Sequence, residues 1–440
     1  MKKHSFRGGI HPYEGKDLSK DAAILPIPAG KELVYPLSQA AGAPAVPIVA
    51  VGDQVVGGQM IARAAGFMSV PIHASTSGKV KKIARHLSAT GVKGDAIIIE
   101  ADGENRMADI TAPPAYTTRT REELITAIQE AGIAGMGGAG FPTHVKLSPK
   151  DVSAIDRIII NCAECEPYLT SDYRRMLEQP QQIIEGLKAI LYLFPNAKGI
   201  LAIEDNKPEC AAALRSSDHD PRISVQVLPT KYPQGAERQL IFAVTGRAIN
   251  SAVLPMEVGC IVLNVDTTLA IFRALVQGRP LIYRVLTVTG DAVRSPRNLK
   301  VPIGTSYSEL PAYCGGFKQE PAKYVCGGPM MGFSLFDLQV PVTKTSSALL
   351  CLTRDAVSEQ EPSACIGCGR CVDDCPSRIL PTRLAAFADH GDKLMFQQYD
   401  GMECCECGCC SYVCPAKRHL TQSIRSMRRL ILAERRKATS

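Results

Sequence analysis

Ten of the seventeen cysteines stand between Cys365 and Cys414, and their spacing is the most chemically committed feature of the 440-residue chain. Cys365, Cys368, Cys371 and Cys375 run into Pro376 as C-x2-C-x2-C-x3-C-P, and Cys404, Cys407, Cys410 and Cys414 run into Pro415 in the same pattern. Four thiolates so spaced suit a cubane: three close cysteines wrap one corner and the fourth comes from the other motif. Two 4Fe-4S clusters are therefore expected, one on Cys365, Cys368, Cys371 and Cys414, the other on Cys404, Cys407, Cys410 and Cys375. Zinc would call for two C-x2-C pairs with a longer spacer. Cys405 and Cys409 adjoin ligands without reaching the same corner and read as small buried residues.

A second group of residues lies upstream. Gly135, Gly137 and Gly140 satisfy G-x-G-x-x-G, but a helix rather than a strand precedes them, so the motif alone does not make a dinucleotide fingerprint. Five glycines between Gly132 and Gly140 do imply close backbone approach to something flat or anionic, and Lys146 could meet a phosphate there. Asn161-Cys-Ala-Glu164-Cys-Glu166-Pro167 sets two carboxylates at a strand end. There they either face solvent or accept hydrogen bonds from ribose hydroxyls. Cys162 and Cys165, a lone C-x2-C, read as pocket lining.

These residues need elements to hold them. Apolar strands are expected at Ile155 to Asn161, Gly199 to Ile203, Ile223 to Leu228 and Ile261 to Asn264, with helices between. That alternation argues for a mainly parallel α/β layer whose ligand lies at the strands' carboxyl ends. Asn161, Glu204, Tyr232 and Asn264 all fall at or just past such ends. Thr120 with Glu123 forms a capping box for a helix running into Gly132. After each C-P a helical pattern follows (Leu384, Ala385 and Phe387; Leu420, Ile424 and Met427), which puts the cysteines on a small helical ferredoxin-like unit.

Length alone calls for three or four units. Hydrophobic content of 45% and charged content of 21% fit a folded globular chain. The longest apolar stretch, around Ile190 to Ile203, is broken by Pro195, Asn196 and Lys198, so no spanning helix is expected. Met1 to Gly9 lacks an apolar core, so a cytoplasmic location without a secretory leader is expected. An odd cysteine count in a reducing compartment favours metal over disulfides. The net charge of +7 is matched by the tail alone, where Lys417, Arg418, Arg425, Arg428, Arg429, Arg435, Arg436 and Lys437 face only Glu434. Such a tail suits a solvated helix face or docking to an acidic partner or anionic membrane.

Gly135-Met-Gly-Gly-Ala-Gly-Phe-Pro-Thr-His-Val-Lys146, Asn161 to Pro167, Tyr232-Pro-Gln-Gly-Ala-Glu237 and Asn264-Val-Asp-Thr267 resemble the flavin subunit of respiratory complex I. That resemblance implies FMN held by Gly135, Gly137, Lys146, Asn161, Gly235 and Asn264. Phe141, Glu164, Glu166 and Glu237 would face NAD(H), with Gly138, Gly140, Tyr232 and Thr267 completing the cofactor-binding set. Met136, Ala163 and Ala236 depart from the charged or acidic residues of that family. His4 to Pro12 resembles the opening of the RnfC family of the Rnf electron transport complex. Val51 to Gln59 with Ile72 to Val80 is similar to the biotinyl/lipoyl-type barrel-sandwich hybrid of that family, without a modifiable lysine hairpin. Leu286 to Phe333, with Gly327 to Gly332, resembles its β-grasp (SLBB) module.

The fold class implied is multidomain α/β: a barrel-sandwich hybrid at 1–112, a Rossmann-like FMN/NADH-binding unit at 118–278, a β-grasp module at 280–345 and an α-helical dicluster unit with a basic terminal helix at 350–440. The function implied is that of a ferredoxin-NAD oxidoreductase subunit in an ion-translocating Rnf complex, with no catalytic acid or base. Its partners would be the iron-sulfur protein RnfB and the integral membrane proteins RnfA, RnfD, RnfE and RnfG, with no nucleic acid, at the cytoplasmic face of the membrane. Two alternatives are a cobalamin reductase-type flavin/iron-sulfur protein and a scaffold subunit that kept clusters but lost flavin.

Overall fold

The computed structural model describes residues 5–217 and 219–439, so His4 of the opening motif lies outside the described residues. Four sheets and a helical C-terminal unit make up the fold.

The first two sheets face each other as a sandwich. One is antiparallel, in the order Glu32–Pro36, Lys93–Ala101, Gly78–Leu87, Gln54–Val55; the other is formed by Val46–Pro47, Met60–Arg63 and Ile72–His73. Leu33, Tyr35, Ile61, Ile72, Val80, Ile97 and Ile99 are buried in one core. The alternation of Ile97 and Ile99 with Ile98, which packs on a separate small cluster with Val34 and Ala96, is that of a strand with two unlike faces.

The third sheet is all parallel. Arg157–Cys162, Lys198–Glu204, Ile223–Leu228 and Cys260–Asn264 are first to fourth along the chain and lie in the order third, second, first, fourth. Ile158 and Ile160 pack with the helices Pro180–Leu193 and Val265–Gln277, while Ile159 packs on the other face with Leu240 and Ile241 of Glu237–Thr245. Helices cover both faces, which is why the strand is apolar without alternation. The strand order reverses between the first and fourth strands, where Asn161 and Asn264 are register partners. A crevice opens at such a reversal, at the carboxyl ends. The expected capping box is formed: Thr120 accepts from the Glu123 amide and Glu123 from the Thr120 amide.

The fourth sheet has six strands in the order Leu25–Pro26, Arg297–Pro302, Tyr283–Thr289, Ala348–Leu352, Lys323–Cys326, Phe333–Leu335. It reaches past the expected 280–345 at both ends. Ala348–Leu352 sits in its middle, between two other strands, and Leu25–Pro26 pairs in parallel with Leu299 and Lys300. Residues 6–18 also leave the barrel and cross the parallel-sheet unit, with Ile10 bridged to Tyr232. Two-residue strands and extended straps carry no hydrophobic period, so sequence spacing could not place them.

In the C-terminal unit, Pro381–Asp389 and Leu420–Thr439 pack together. Leu420, Ile424, Met427 and Ile431 point inward with Cys375, Cys404 and Cys410. The opposite face of the last helix is basic, yet Arg425 and Arg428 both reach Glu406, the former at 2.9 Å. Among the described residues no helix is long and apolar enough to cross a membrane.

Candidate functional site

The glycine loop is pinned at its base, because the Gly135 amide donates to the Phe141 carbonyl at 2.8 Å and Ala134 bridges Pro142. Its amide at Met136 donates to Thr267 Oγ1 at 3.0 Å, which seats the loop on the first turn of Val265–Gln277. Gly137 and Gly138 are exposed. A Cβ at Gly137 would stand 3.2 Å from Asn264 Cβ, and a Cβ at Gly235 would stand 3.3 Å from both Asn161 Nδ2 and Cys165 Sγ. Two glycines thus keep open the space beside the two asparagines. A side chain at either glycine would crowd its asparagine, so both positions favour close backbone approach.

Each asparagine is itself held. Asn161 Nδ2 donates to the Gly235 carbonyl at 2.8 Å. Asn264 caps its helix by accepting from the Asp266 amide, and its Nδ2 donates to Asp172 Oδ2 at 2.6 Å. Lys146 Nζ lies 2.7 Å from Glu237 Oε1 and 3.0 Å from the Val262 carbonyl, so its ammonium is shared between a carboxylate and a backbone carbonyl. Phe141 is partly exposed at the loop's end.

Both of the paired carboxylates accept from backbone amides. Glu164, in the left-handed region with φ of 46°, spends both oxygens on the Asp172 and Tyr173 amides, at 2.7 and 3.1 Å. A carboxylate on the first amides of the helix Ser171–Glu178 meets the positive end of its dipole. Glu166 Oε1 accepts from the Met330 and Met331 amides of the β-grasp loop, at 2.7 and 3.1 Å. Burial pushes both carboxyls above the usual range, against the pull of Lys16. Burial, with the charges of Glu164 and Asp266 beside it, also raises Asp172.

Behind the loop lies a buried ion network. Asp266 pairs with Arg175 at 3.1 Å and with Arg284 of the β-grasp strand, whose guanidinium also touches Met136. Asp172, Asp266, Arg284 and Lys16 were not singled out in sequence. A lone Asp in Ser171-Asp-Tyr reads as a helix start, and only its distance to Asn264 reveals its part.

The cysteines fall into two sets. Burial raises the Cys371 thiol, and its charged neighbours are Cys414, Cys365 and Cys368, the four residues assigned to one cluster. Cys375, Cys404, Cys407 and Cys410 line a single recess, with Pro376, Ile379 and Ile424 on its walls. Both donor sets suit the four-thiolate corners of an iron-sulfur cube. Among the described residues no three His, Cys, Asp or Glu side chains converge on a single metal ion. Cys365 and Cys368 are exposed, whereas the recess cysteines are buried. Cys405 and Cys409, expected to be small buried residues, also line the recess, Cys409 fully buried and Cys405 partly so.

Tyr232 joins the two sites. It is buried, and its hydroxyl donates to the Cys407 carbonyl at 2.7 Å while its chain leads directly into Gly235. Ile10, Cys407 and Cys409 pack around it, with Cys165, Met330 and Cys405 beside them.

Comparisons with known proteins match this layout in order. Family models match an RnfC barrel sandwich hybrid domain at residues 4–104, a Nuo51 FMN-binding domain at 128–273, an SLBB domain at 285–334 and a 4Fe-4S binding domain at 359–380. The last covers the first cysteine motif. The C subunit of the proton-translocating ferredoxin:NAD(+) oxidoreductase complex of Clostridium ljungdahlii is 43% identical over 429 residues, 96% of this chain and 93% of that protein. Its Na(+)-translocating counterpart of Acetobacterium woodii is 41% identical over 443 residues, 99% of each. A solved chain of an NAD+-reducing NiFe hydrogenase in the H2-reduced state shares the fold at a TM-score of 0.50 and 19% identity. That match covers 65% of this chain and 56% of the other, so this chain spans little more than half its length. At 41–43% identity to two such relatives along nearly its whole length, the chain belongs to the RnfC family of Rnf-type complexes.

Proposed function

We propose that this chain is the nucleotide-handling subunit of an ion-translocating ferredoxin:NAD(+) oxidoreductase, moving electrons between NAD(H), FMN and two 4Fe-4S clusters. When bound, FMN exchanges a hydride's electron pair with the nicotinamide, and the clusters pass electrons singly. The units are taken as 1–112, 118–278 (Rossmann-like), 280–345 with the strand Ala348–Leu352 added, and the dicluster remainder to 440.

The chain's own side chains bind and orient. Gly135, Gly137, Gly138, Gly140 and Gly235 allow close backbone approach, Asn161, Asn264 and Thr267 fix the crevice edges, and Lys146 supplies the cation for a phosphate. Phe141, Glu166 and Glu237 are assigned to the nucleotide side, with Glu164 shaping the turn from beneath. Cys365, Cys368, Cys371 and Cys414 are assigned to one cluster; Cys404, Cys407, Cys410 and Cys375 to the other. The observation that carries the reading is the Tyr232 hydroxyl on the Cys407 carbonyl, because one residue then belongs to both the crevice and the cysteine recess. The partners RnfB, RnfA, RnfD, RnfE and RnfG, and a peripheral place on the cytoplasmic face of the membrane, complete the proposal.

Anaerobic purification with iron, sulfide and flavin quantified on one sample tests it, together with NADH-dependent dye reduction. About eight iron atoms and one FMN per chain are expected from two cubes and one flavin. Protein fully metallated but free of flavin would overturn the assignment.

A further inference from the structure

The opening motif takes no part in the crevice or the recess, yet it touches both. Its backbone exchanges two hydrogen bonds with Tyr232: the Ile10 amide donates to the Tyr232 carbonyl at 2.8 Å, and the Tyr232 amide to the Ile10 carbonyl at 2.9 Å. One residue earlier, the Gly9 amide donates to the Asp374 carbonyl at 2.9 Å, next to Cys375. Gly8, at φ of 72°, lies so close that a Cβ there would stand 2.6 Å from the Cys375 carbonyl oxygen. The Phe6 ring stacks under Lys231 Nζ at 4.5 Å, and that ammonium donates to the Phe6 carbonyl at 3.0 Å.

Further along, Lys16 is buried, and its ammonium donates to the carbonyls of Glu164, Glu166 and Leu169 at 2.8, 3.1 and 2.6 Å. An ammonium has three protons and no acceptor, so every donor is used, and all on one turn. The Tyr168 amide adds a bond to the Glu14 carbonyl at 2.6 Å. That turn holds Glu164 and Glu166 and is otherwise irregular, with Glu164 and Tyr168 both at positive φ. A lysine spent wholly on backbone carbonyls is a fastener, since nothing of it remains to bind a ligand.

We propose that residues 6–18 form a positioning strap that seats the second cysteine set against Tyr232 and, through Lys16, fixes the Glu164–Leu169 turn at the crevice. It rests on the electron-transfer reading above and adds that spacing between crevice and recess depends on the strap, which belongs to neither. Lys16 is a positioning residue acting through the turn. Gly8 to Ile10 act through Tyr232 and the backbone before Cys375.

The test uses the full chain, purified anaerobically with FMN and iron-sulfide loading measured first; a wild type lacking either fails the underlying reading and not this one. On loaded wild type, Gly8→Ala and Lys16→Met, three signals are compared: NADH-ferricyanide reduction, the rate at which NADH bleaches the clusters, and amide exchange. Gly8→Ala is expected to slow cluster bleaching severalfold, because electron transfer between fixed centres weakens steeply with each added ångström. Its ferricyanide rate should stay near wild type. Lys16→Met should speed amide exchange at Glu164–Leu169 and raise KM for NADH by about tenfold, as unpaired carbonyls loosen the turn, with kcat held. Should Gly8→Ala fail to load clusters, Phe6→Ala loosens the strap without touching the cysteine loop and must slow bleaching in the same sense. Wild-type bleaching in a variant whose strap exchanges faster, or unchanged exchange and KM in Lys16→Met, overturns the proposal.

Discussion

On the proposed assignment Cys414 completes the set of Cys365, Cys368 and Cys371, and Cys375 the set of Cys404, Cys407 and Cys410, so that the two motifs would trade their fourth members. That exchange makes substitutions unequal in a telling way. Cys414→Ser should lower iron to about half, as one of two cubes is lost, and the survivor, walled by buried cysteines, should resist an external chelator. Cys375→Ser should also halve the iron, yet leave the cluster served by the exposed Cys365 and Cys368, which chelation then strips. Iron analysis before and after chelation checks this; the opposite sensitivities would mean that each motif keeps its own fourth cysteine. The 4Fe-4S character of the cysteine run was legible from its spacing, whereas the exchange of fourth cysteines is what these substitutions decide. The commitment of Glu164 to helix amides was not, since a carboxylate after a strand reads the same whether it meets solvent, ribose or a helix end.

The glycine loop shows what a single element requires of its neighbours. Gly140 sits at φ of 66° with its carbonyl accepting from the Ala41 amide, and a Cβ there would stand 2.7 Å from Thr345 Cγ2. Sandwich and β-grasp tail therefore buttress the loop from behind. Gly140→Ala carries a left-handed penalty of about 1–2 kcal/mol as well as that overlap. The unfolding midpoint of the unit that carries the loop should fall by roughly 2–8 °C, and amide exchange at residues 135–141 should quicken. An unchanged midpoint with unchanged exchange would show the loop to be free of its buttress. The parallel strands were readable because helices on both faces leave long apolar runs. The strand Leu25–Pro26 was not, because its reason for existing lies some 270 residues downstream, at Leu299.

At the scale of the molecule, three units meet at Lys344. Its buried ammonium donates to the Pro71 carbonyl of the sandwich and the Gly132 carbonyl ahead of the glycine loop, both at 2.5 Å. Burial lowers its pKa to about 7 from 10.5, and burial with Lys344 beside it lowers the neighbouring His73 to about 3 from 6.5. Between each pair of values the unfolded chain holds the proton that the folded chain has shed. Stability from these groups therefore climbs with pH over roughly 3 to 6.5 and again over roughly 7 to 10.5. Buried acids such as Glu204, raised by desolvation, act in the other direction, so the wild type is best compared with Lys344→Met. Denaturant midpoints across the alkaline window should diverge steadily between the two; parallel curves would remove Lys344 from the junction's energetics. A buried lysine of this kind is invisible in sequence, where lysine reads as solvated surface.

The parallel pairing of Leu25–Pro26 with Leu299 and Lys300 has a consequence for how the protein is made. On the ribosome the opening strand emerges long before the strand it must join, so the β-grasp sheet cannot be completed until that later strand, and the central strand Ala348–Leu352 after it, have been synthesised. Until then the early segment is an unclaimed ribbon. A fragment that begins past it would carry a bare sheet margin, open to strands from other copies.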